Sequence, residues 1–363
     1  MFFGSKKNSV DDPLASQIAS HTAKFFTHSD DSSIAVLAGK PGQYIIKTPF
    51  VCKSMHSQLI EYLKQQPSMA TLEFVIEHNV PIFSSKTAHL SNIKNIVAVS
   101  SGKGGVGKSA TAVNLALALK AQGARVGILD ADIYGPSIPL MLGTVDASPA
   151  SPDNKHMVPI SAHGLVSNSI GYLVKNDHAS IWRGPMASKA LTQLAKETRW
   201  PLLDYLIVDM PPGTGDIQLT MAQQLPLTAA VIVTTPQDIA LSDAEKGIAM
   251  YNKLELPVIG MVENMSYFEC PQCHHQTPIF ASHGAHRLSK KYKLPMLAEV
   301  PLNTLVREYA DSGNSLIDEL PEQDISQIYI QAALRMSIQM SQQLSVSEAA
   351  SDMLNKIDIT ELT

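Results

Sequence analysis

The chain has 363 residues, 45% hydrophobic and 17% charged, so it can bury a substantial core and is long enough for more than one domain. Its net charge of −5 offers no overall basic surface to nucleic acid or anionic lipid, and no apolar run approaches the roughly 20 residues of a membrane helix. Lys6-Lys7 is followed by Asp11-Asp12, where a signal peptide would need apolar residues. We therefore expect a cytoplasmic protein that binds neither nucleic acid nor membrane.

The first 92 residues predict a small α+β module with a linker. Asp12 and Pro13 are suited to begin a helix. Strands are predicted at three apolar runs, residues 34–37, 44–46 and 72–76. A further helix is expected between the second and third runs, with Cys52 on the same apolar face as Leu59, which favours a buried, inert thiol.

From residue 93 the pattern changes to short apolar runs that alternate with helical segments. The runs are residues 96–99, 126–129, 205–208, 229–233 and 258–262. Continuous runs of this length are typical of parallel strands buried on both faces. The sequence therefore predicts a doubly wound α/β domain with a mostly parallel sheet over residues 93–345, ligands at the carboxyl ends of its strands, and a polar tail over 346–363.

A glycine-rich stretch, SSGKGGVGKS from Ser100 to Ser109, separates the first of these strands from a helix-like segment. Strand, glycine loop and helix in this order are the context that a P-loop requires. The glycines let backbone N–H groups turn toward phosphate oxygens, while Lys108 would hold the β- and γ-phosphates and Ser109 the Mg²⁺. The residues predicted to bind ATP·Mg²⁺ are Gly102, Lys103, Gly104, Gly105, Val106, Gly107, Lys108 and Ser109.

Polar residues follow three later strands. Asp130 and Asp132 close one strand, and Asp209 closes another in the manner of a Walker B carboxylate. Carboxylates that face a P-loop hold Mg²⁺ or orient the attacking water. A stiff Pro-Pro-Gly turn follows Asp209, and the N–H of its Gly213 is suited to contact the γ-phosphate. Asn264 ends a further strand, where an Asn is either a ligand or a turn cap.

Cys270 and Cys273 form a Cys-x-x-Cys pair around a proline, which points two thiolates at one metal. A Zn²⁺ ion or a cubane iron–sulfur cluster takes four ligands, and the nearest source of two more is a second copy of the chain. Three other interpretations stay open: a redox pair, a Zn²⁺ knuckle completed by His274 or His275, and a plain surface hairpin.

Together these motifs resemble the Mrp/ApbC iron–sulfur cluster carriers, relatives of the MinD and ParA ATPases with a deviant Walker A motif. The resemblance covers residues 95 to about 320. It rests on the P-loop with its additional Lys103, LDADIYGPS from Leu129, WRGPM from Trp182, DMPPGTGD from Asp209, TPQD from Thr235 and CPQC from Cys270. The N-terminal module loosely resembles the small leading domain of that family.

The resemblance implies a homodimeric ATPase. In that family the early lysine, here Lys103, reaches the nucleotide of the partner subunit. The switch I motif assigns Asp132 to the attacking water and Asp130 to the magnesium shell, and the switch II motif contains Gly213. Lys103, Lys108 and Asp132 are thus the expected catalytic residues.

The same resemblance assigns Asn264 to the adenine edge and implies that the cysteine pair binds a cluster that is passed on to other proteins. Cys270 and Cys273 of both subunits would hold a labile [4Fe–4S] cluster, received from scaffold proteins and handed to apo iron–sulfur proteins. Two rivals remain: a positioning ATPase like MinD or ParA, and a zinc-stabilised ATPase scaffold. Membrane-binding relatives need a basic C-terminal helix, yet residues 322–345 hold one basic residue, Arg335.

Overall fold

The computed structural model describes residues 12–83, 90, 92–173, 184–281 and 284–344. These residues form two compact units, one of residues up to 82 together with those from 337 onward, and one of residues 83–336. The boundaries predicted at residues 92 and 345 stay predictions. The polar tail and the Trp182-Arg183 part of the WRGPM motif lie outside the described residues. No helix in the described ranges is long and apolar enough to cross a bilayer.

The smaller unit combines two helices with a three-stranded sheet. Its elements are α1 (Pro13–Phe25), β1 (Ala35–Ala38), β2 (Gln43–Thr48), α2 (His56–Lys64) and β3 (Glu73–His78). The central strand β2 is antiparallel to β1 and parallel to β3. As predicted, α1 begins after Asp12, whose Oδ1 accepts the N–H of Leu14 at 2.9 Å. The unit therefore has the predicted α+β character.

Cys52 does not lie on the apolar face of α2, so that part of the prediction is wrong. The α-helix begins only at His56, after a 3₁₀ turn over Lys53–Met55, and Cys52 precedes both. Its side chain is nevertheless only 1% exposed, with Sγ 3.7 Å from Oγ1 of Thr48. Burial raises the pKa of this thiol to about 11. The prediction that this thiol is buried is confirmed, and its inertness stays a prediction.

The larger unit is a doubly wound α/β domain. Within the described residues its strands are β4 (Ile93–Ser100), β5 (Val126–Asp130), β6 (Ile160–Ala162), β7 (Leu165–Ser169), β8 (Leu203–Asp209), β9 (Ala229–Thr234), β10 (Val258–Glu269), β11 (Gln276–Thr277) and β12 (Met296–Leu302). The helices are α3 (Lys108–Ala121), α4 (Ile138–Met141), α5 (Gly184–Glu197), α6 (Asp216–Gln224), α7 (Asp238–Lys253), α8 (Gly284–Tyr292), α9 (Thr304–Ser312), α10 (Leu316–Glu319) and α11 (Asp324–Gln343), whose residues from 337 onward belong to the smaller unit.

The sheet has the strand order β11-β10-β9-β4-β8-β5-β7-β6, and β12 lies beside β10. The central strands are parallel, with β4 between β8 and β9 and with β5 beside β8. Only β6 on β7 and β11 on β10 pair antiparallel in the part of this sheet that the structure describes. The predicted mostly parallel fold is confirmed. Because parallel strands point the same way, the residues that follow β4, β5 and β8 meet at one edge of the sheet.

Candidate functional site

The P-loop connects β4 to α3 and turns on its glycines. Gly105 and Gly107 have φ of 82° and 80°, a region that side chains rarely adopt, and Gly107 caps the start of α3. At Gly102 a Cβ would lie 2.1 Å from the carbonyl carbon of Asp243 in α7. The loop thus has the shape of a phosphate cradle that only glycines at these positions can form.

The side chains of the P-loop meet the carboxylate at the end of β8. Lys108 is 6% exposed, and its Nζ lies 2.5 Å from Oδ1 of Asp209 and 3.7 Å from Oδ2 of Asp132. Ser109 donates its hydroxyl to the other oxygen of Asp209, also at 2.5 Å. The structure therefore brings together the four residues that the sequence predicted for phosphate, magnesium and water.

Asp130 lies at the end of β5 and is completely buried. Its Oδ2 accepts the hydroxyl of Ser169 at 2.9 Å and the N–H of Ile138 at 3.2 Å, and its Oδ1 accepts the N–H of Asp132 at 3.2 Å. A carboxylate has about four acceptor positions, so these three hydrogen bonds leave room for about one more donor or ligand. Asp130 thus positions the backbone around Asp132.

Three carboxyl groups at this edge have raised pKa values. Desolvation is the largest cause in each, and the charge of Asp209 raises the pKa values of Asp130 and Asp132 further, that of Asp130 to about 7. Lys108 opposes the rise at Asp132 and Asp209. A divalent cation would relieve such a buried acidic cluster, and hard carboxylate and hydroxyl oxygens are the ligands that Mg²⁺ prefers. Ser109 and Asp209 therefore fit a magnesium ion as two of its ligands, the remainder being phosphate oxygens and waters.

The turn after Asp209 docks directly on the P-loop. Gly213, with φ of 98°, donates its N–H to the carbonyl of Ser101 at 2.9 Å. The predicted contact with a γ-phosphate requires this N–H to leave Ser101. Lys103 is exposed, and its carbonyl accepts the hydroxyl of Ser101 at 2.8 Å. The Lys103 ammonium is accordingly presented to solvent.

Asn264, on β10, closes the other side of the P-loop. Its Nδ2 donates to the carbonyl of Val106 at 2.9 Å, and the side chain is 8% exposed. A Cβ at Gly107 would lie 2.1 Å from the same nitrogen. Asn264 therefore packs against the loop itself, and its predicted contact with adenine stays a prediction.

The cysteine pair lies in the turn between β10 and β11. The N–H of Cys270 donates to the carbonyl of His275 at 3.0 Å, and the N–H of His274 donates to the carbonyl of Cys270 at 2.9 Å. Cys270 is half-buried and Cys273 exposed. The backbone N–H groups of Cys273 and Gln272 lower the pKa of the Cys270 thiol, which favours the thiolate that a metal binds. The turn is suited to supply two thiolate ligands.

The alternatives for this pair differ in their fit. The pair lies in a hairpin turn and does not open a helix, unlike a thioredoxin-type redox motif. Nδ1 of His274 lies 3.0 Å from Oε1 of Glu269, so this ring is paired with the carboxylate. Over the described ranges no three His, Cys, Asp or Glu side chains are grouped to hold a metal ion.

Three buried polar residues of the larger unit escaped the sequence analysis. Ser169 of β7 binds Asp130, and Gln218 of α6 donates to the hydroxyl of Ser100 beneath the P-loop. Glu263 of β10 is 2% exposed. Glu263 had a visible signal, a charged residue inside an apolar strand, whereas the other two contacts join segments far apart in the chain.

The strand, phosphate loop and helix, flanked by strands that end in carboxylates, define a P-loop NTPase. A family model described as ParA, NUBPL iron-transfer P-loop NTPase, matches residues 92–337, and the chain belongs to that family. The family resemblance seen in the sequence motifs is thus confirmed.

Two relatives illustrate the match. The chain is 54% identical over 298 residues to an iron-sulfur cluster carrier protein of Escherichia coli strain K12, which covers 80% of this chain and 81% of the relative. It is 46% identical over 250 residues to the iron-sulfur cluster transfer protein NUBPL of Mus musculus, which covers 68% and 78% respectively.

Solved structures show the same fold. A nucleotide-binding protein from Archaeoglobus fulgidus in complex with ADP is 37% identical, with a TM-score of 0.58 over 65% of this chain and 92% of that one. The cell division ATPase MinD of Pyrococcus furiosus is 22% identical, with a TM-score of 0.51 over 67% and 98%. The latter likeness supports the fold alone.

Proposed function

We propose that this protein is a homodimeric ATPase that carries a labile [4Fe–4S] cluster from scaffold proteins to apo iron–sulfur proteins in the cytoplasm. One observation carries the proposal: the strand that contacts the P-loop through Asn264 leads directly into the turn with Cys270 and Cys273. A P-loop alone indicates an NTPase and a cysteine pair alone a metal site. Their connection, in a member of an iron-transfer family, favours a carrier that uses nucleotide.

The nucleotide half of the proposal follows from the contacts around Asp209. Lys108 would exchange its contact with Asp209 for the β- and γ-phosphate oxygens. Ser109 and Asp209 would hold Mg²⁺, with Asp130 in its outer shell, and the ion would supply charge neutralisation to the phosphates. Asp132 would orient the water whose oxygen bonds to the γ-phosphorus as the bond to the β–γ bridging oxygen breaks, releasing ADP and inorganic phosphate.

Two further groups would couple the subunits and sense the nucleotide. The exposed Lys103 would reach the phosphates bound by the partner subunit. Gly213 would move its N–H from Ser101 to the γ-phosphate, so the turn would distinguish ATP from ADP. Asn264 would read the adenine edge.

The cargo half rests on the exposed turn. Two thiolates from each subunit complete the four that a cubane cluster takes. Because Cys273 is exposed, thiolates of an acceptor protein can replace the carrier's thiolates one at a time by ligand exchange. The cluster is therefore cargo rather than a permanent part of the site.

The test is anaerobic reconstitution with iron and sulfide. We expect a broad absorbance band near roughly 400 nm and about four iron and four sulfide per dimer, measured beside the dimer mass in sedimentation. The Cys270→Ala/Cys273→Ala variant should lose the band and still bind ATP. The matched control is Cys52→Ala, which removes the buried cysteine and should keep the band.

Transfer to an apo-protein is then measured with ATP, with ADP and without nucleotide. Faster transfer in one nucleotide state, abolished by Lys108→Ala, is the expected result. Equal rates in all three would refute the nucleotide coupling. Colourless protein that contains zinc would favour the scaffold alternative, and ATP-dependent pelleting with liposomes or DNA would favour a positioning ATPase.

A further inference from the structure

The strand that joins the two halves of the proposed carrier is interrupted between them. β10 pairs with β12 at Asn264 opposite Val300, and next at Phe268 opposite Leu302, so β10 inserts extra residues there. Met265, directly after Asn264, has φ of 56°, which is uncommon for a residue with a side chain. The bulge lies between the residue that contacts the P-loop and Cys270.

A buried carboxylate holds this bulge. Glu263 is 2% exposed, and its Oε1 lies 2.9 Å from the hydroxyl of Ser266, which is also 3.0 Å from the carbonyl of Glu263. The hydroxyl therefore bridges the two ends of the bulge. The two groups that bond to this carboxylate, the hydroxyl of Ser266 and the N–H of Ala285, are both uncharged. Burying a carboxylate costs free energy unless hydrogen bonds compensate for the lost water, so these hydrogen bonds are needed to keep Glu263 in place.

The other carboxylate oxygen is tied to a fixed point. Oε2 of Glu263 accepts the N–H of Ala285 in the first turn of α8 at 2.6 Å, where the helix dipole favours a negative charge. The start of α8 is itself closely packed, because a Cβ at Gly284 would lie 2.5 Å from the carbonyl oxygen of Pro236. The carboxylate thus links a rigid anchor on one side to the bulge on the other.

On this basis we propose that Glu263 is a positioning residue that transmits movement of the P-loop to the cysteine turn through the bulge. A shift of Val106 moves Asn264 against Glu263, which is anchored at α8, and the Glu263–Ser266 contact keeps the bulge from deforming, so the strand beyond Ser266 turns about this anchor. Without this contact the bulge absorbs the shift, and Cys270 no longer responds to nucleotide. The inference deepens the proposed function and rests on its nucleotide coupling.

The test measures how nucleotide changes the reactivity of the two cysteines, and it does not require a bound cluster. Reduced, metal-free full-length protein is treated with iodoacetamide, with and without a saturating non-hydrolysable ATP analogue, and alkylation of Cys270 and Cys273 is followed by mass spectrometry. We expect nucleotide to change the wild-type rate by about fivefold or more, a typical size for coupled sites. Ser266→Ala should reduce the change to less than about twofold.

The controls separate transmission from folding. Ser289→Ala removes a comparable hydroxyl bond, to the carbonyl of Leu294 at the far end of α8, and should respond as wild type. Glu263→Met, of similar length but without hydrogen bonds, should lose the response, whereas Glu263→Gln can still accept from Ala285 and bond Ser266 and should keep most of it. A purely structural role would lower the melting temperature of Glu263→Met and leave its nucleotide response intact.

Two results would overturn the inference: a wild-type response in both Ser266→Ala and Glu263→Met, or no nucleotide effect on the wild-type thiols. If Ser266→Ala does not fold, the inference is tested by comparing the nucleotide response of Glu263→Met with that of Glu263→Gln. Failure of reconstitution would refute the carrier function separately, because alkylation of the metal-free thiols still measures the linkage.

Discussion

An ion cluster at the opposite end of β8 from Asp209 gives a quantitative prediction about stability. Asp204 is 1% exposed and accepts the backbone N–H of Arg125 at 3.0 Å, its guanidinium at 3.1 Å and the ammonium of Lys94 at 3.0 Å. Burial opposes ionisation of this carboxyl, but Arg125 and Lys94 outweigh burial and lower its pKa from 3.8 to about 2. The perturbation is Asp204→Asn, which keeps the shape and removes the charge.

The magnitude follows from proton linkage. A pKa lowered by about two units in the folded state contributes about 2 kcal/mol to the free energy of unfolding at neutral pH. Since the folded pKa is depressed, this contribution is present above about pH 4 and is lost as pH falls through 2, so roughly half remains at pH 3. Because Arg125 is half exposed, we expect this value, which lies below the roughly 3–5 kcal/mol of a fully buried broken pair.

The assay is urea unfolding followed by the fluorescence of Trp200, which is 4% exposed in the same unit, in a Trp182→Phe background. Asp204→Asn should lower the free energy of unfolding by about 2 kcal/mol at pH 7 and about 1 kcal/mol at pH 3, with unchanged ATP affinity. The control is Asp153→Asn, whose partners Arg199 and His156, each 2.7 Å away, lie with it on the surface, so that the loss of its charge should have little effect. A loss at pH 7 no larger than that of Asp153→Asn, or one that does not shrink with acidity, would refute the reasoning.

Three shorter predictions concern thiols, the loop and the acidic cluster. Iodoacetamide should modify two cysteines per native chain and should reach Cys52 only after denaturation, because burial raises the pKa of that thiol to about 11. If mass spectrometry detects a third rapidly labelled cysteine in the native protein, this prediction is wrong. Gly102→Ala should abolish ATP binding in calorimetry, since its Cβ has no room, whereas Gly135→Ala has open space and should bind normally. Ser169→Ala, which removes a bond to Asp130, should weaken ATP binding about fivefold with Mg²⁺ and not without it.

The features that could be predicted from the sequence are those that depend on a local residue pattern. Glycine spacing located the P-loop, and continuous apolar runs located the central parallel strands β4, β5, β8, β9 and the first part of β10. Asp130 and Asp209 were found because parallel strands end at one edge, so a residue after a strand has a predictable place. These inferences need only the chain segment itself and the geometry of a sheet.

The rest depends on contacts between distant segments. Strand β7, which lies between β5 and β6, contains Ser167, Asn168 and Ser169, all buried, so its sequence lacks an apolar run. The side chains of Asn168 and Ser169 are hydrogen-bonded to Thr198 and Asp130, which are 30 and 39 residues away in the chain. The helix start predicted at Cys52 is wrong for a different, local reason: the apolar spacing matches a helix, but the chain first turns through a 3₁₀ segment. Burial was predictable there, whereas the conformation was not.

The hairpin that contains the cysteines has a ladder of two residue pairs, Phe268 with Thr277 and Glu269 with Gln276, followed by the hydrogen bonds of the turn between Cys270 and His275. So short a ladder opens by local fluctuation at a free energy far below that of global unfolding. Amide hydrogen exchange should therefore be fast in the hairpin and slow in the central strands of the same domain. The lifetime of the folded protein and the residence time of its cluster would then depend on two different energy barriers. Substitutions that stabilise the core of the domain therefore need not slow the release of the cluster.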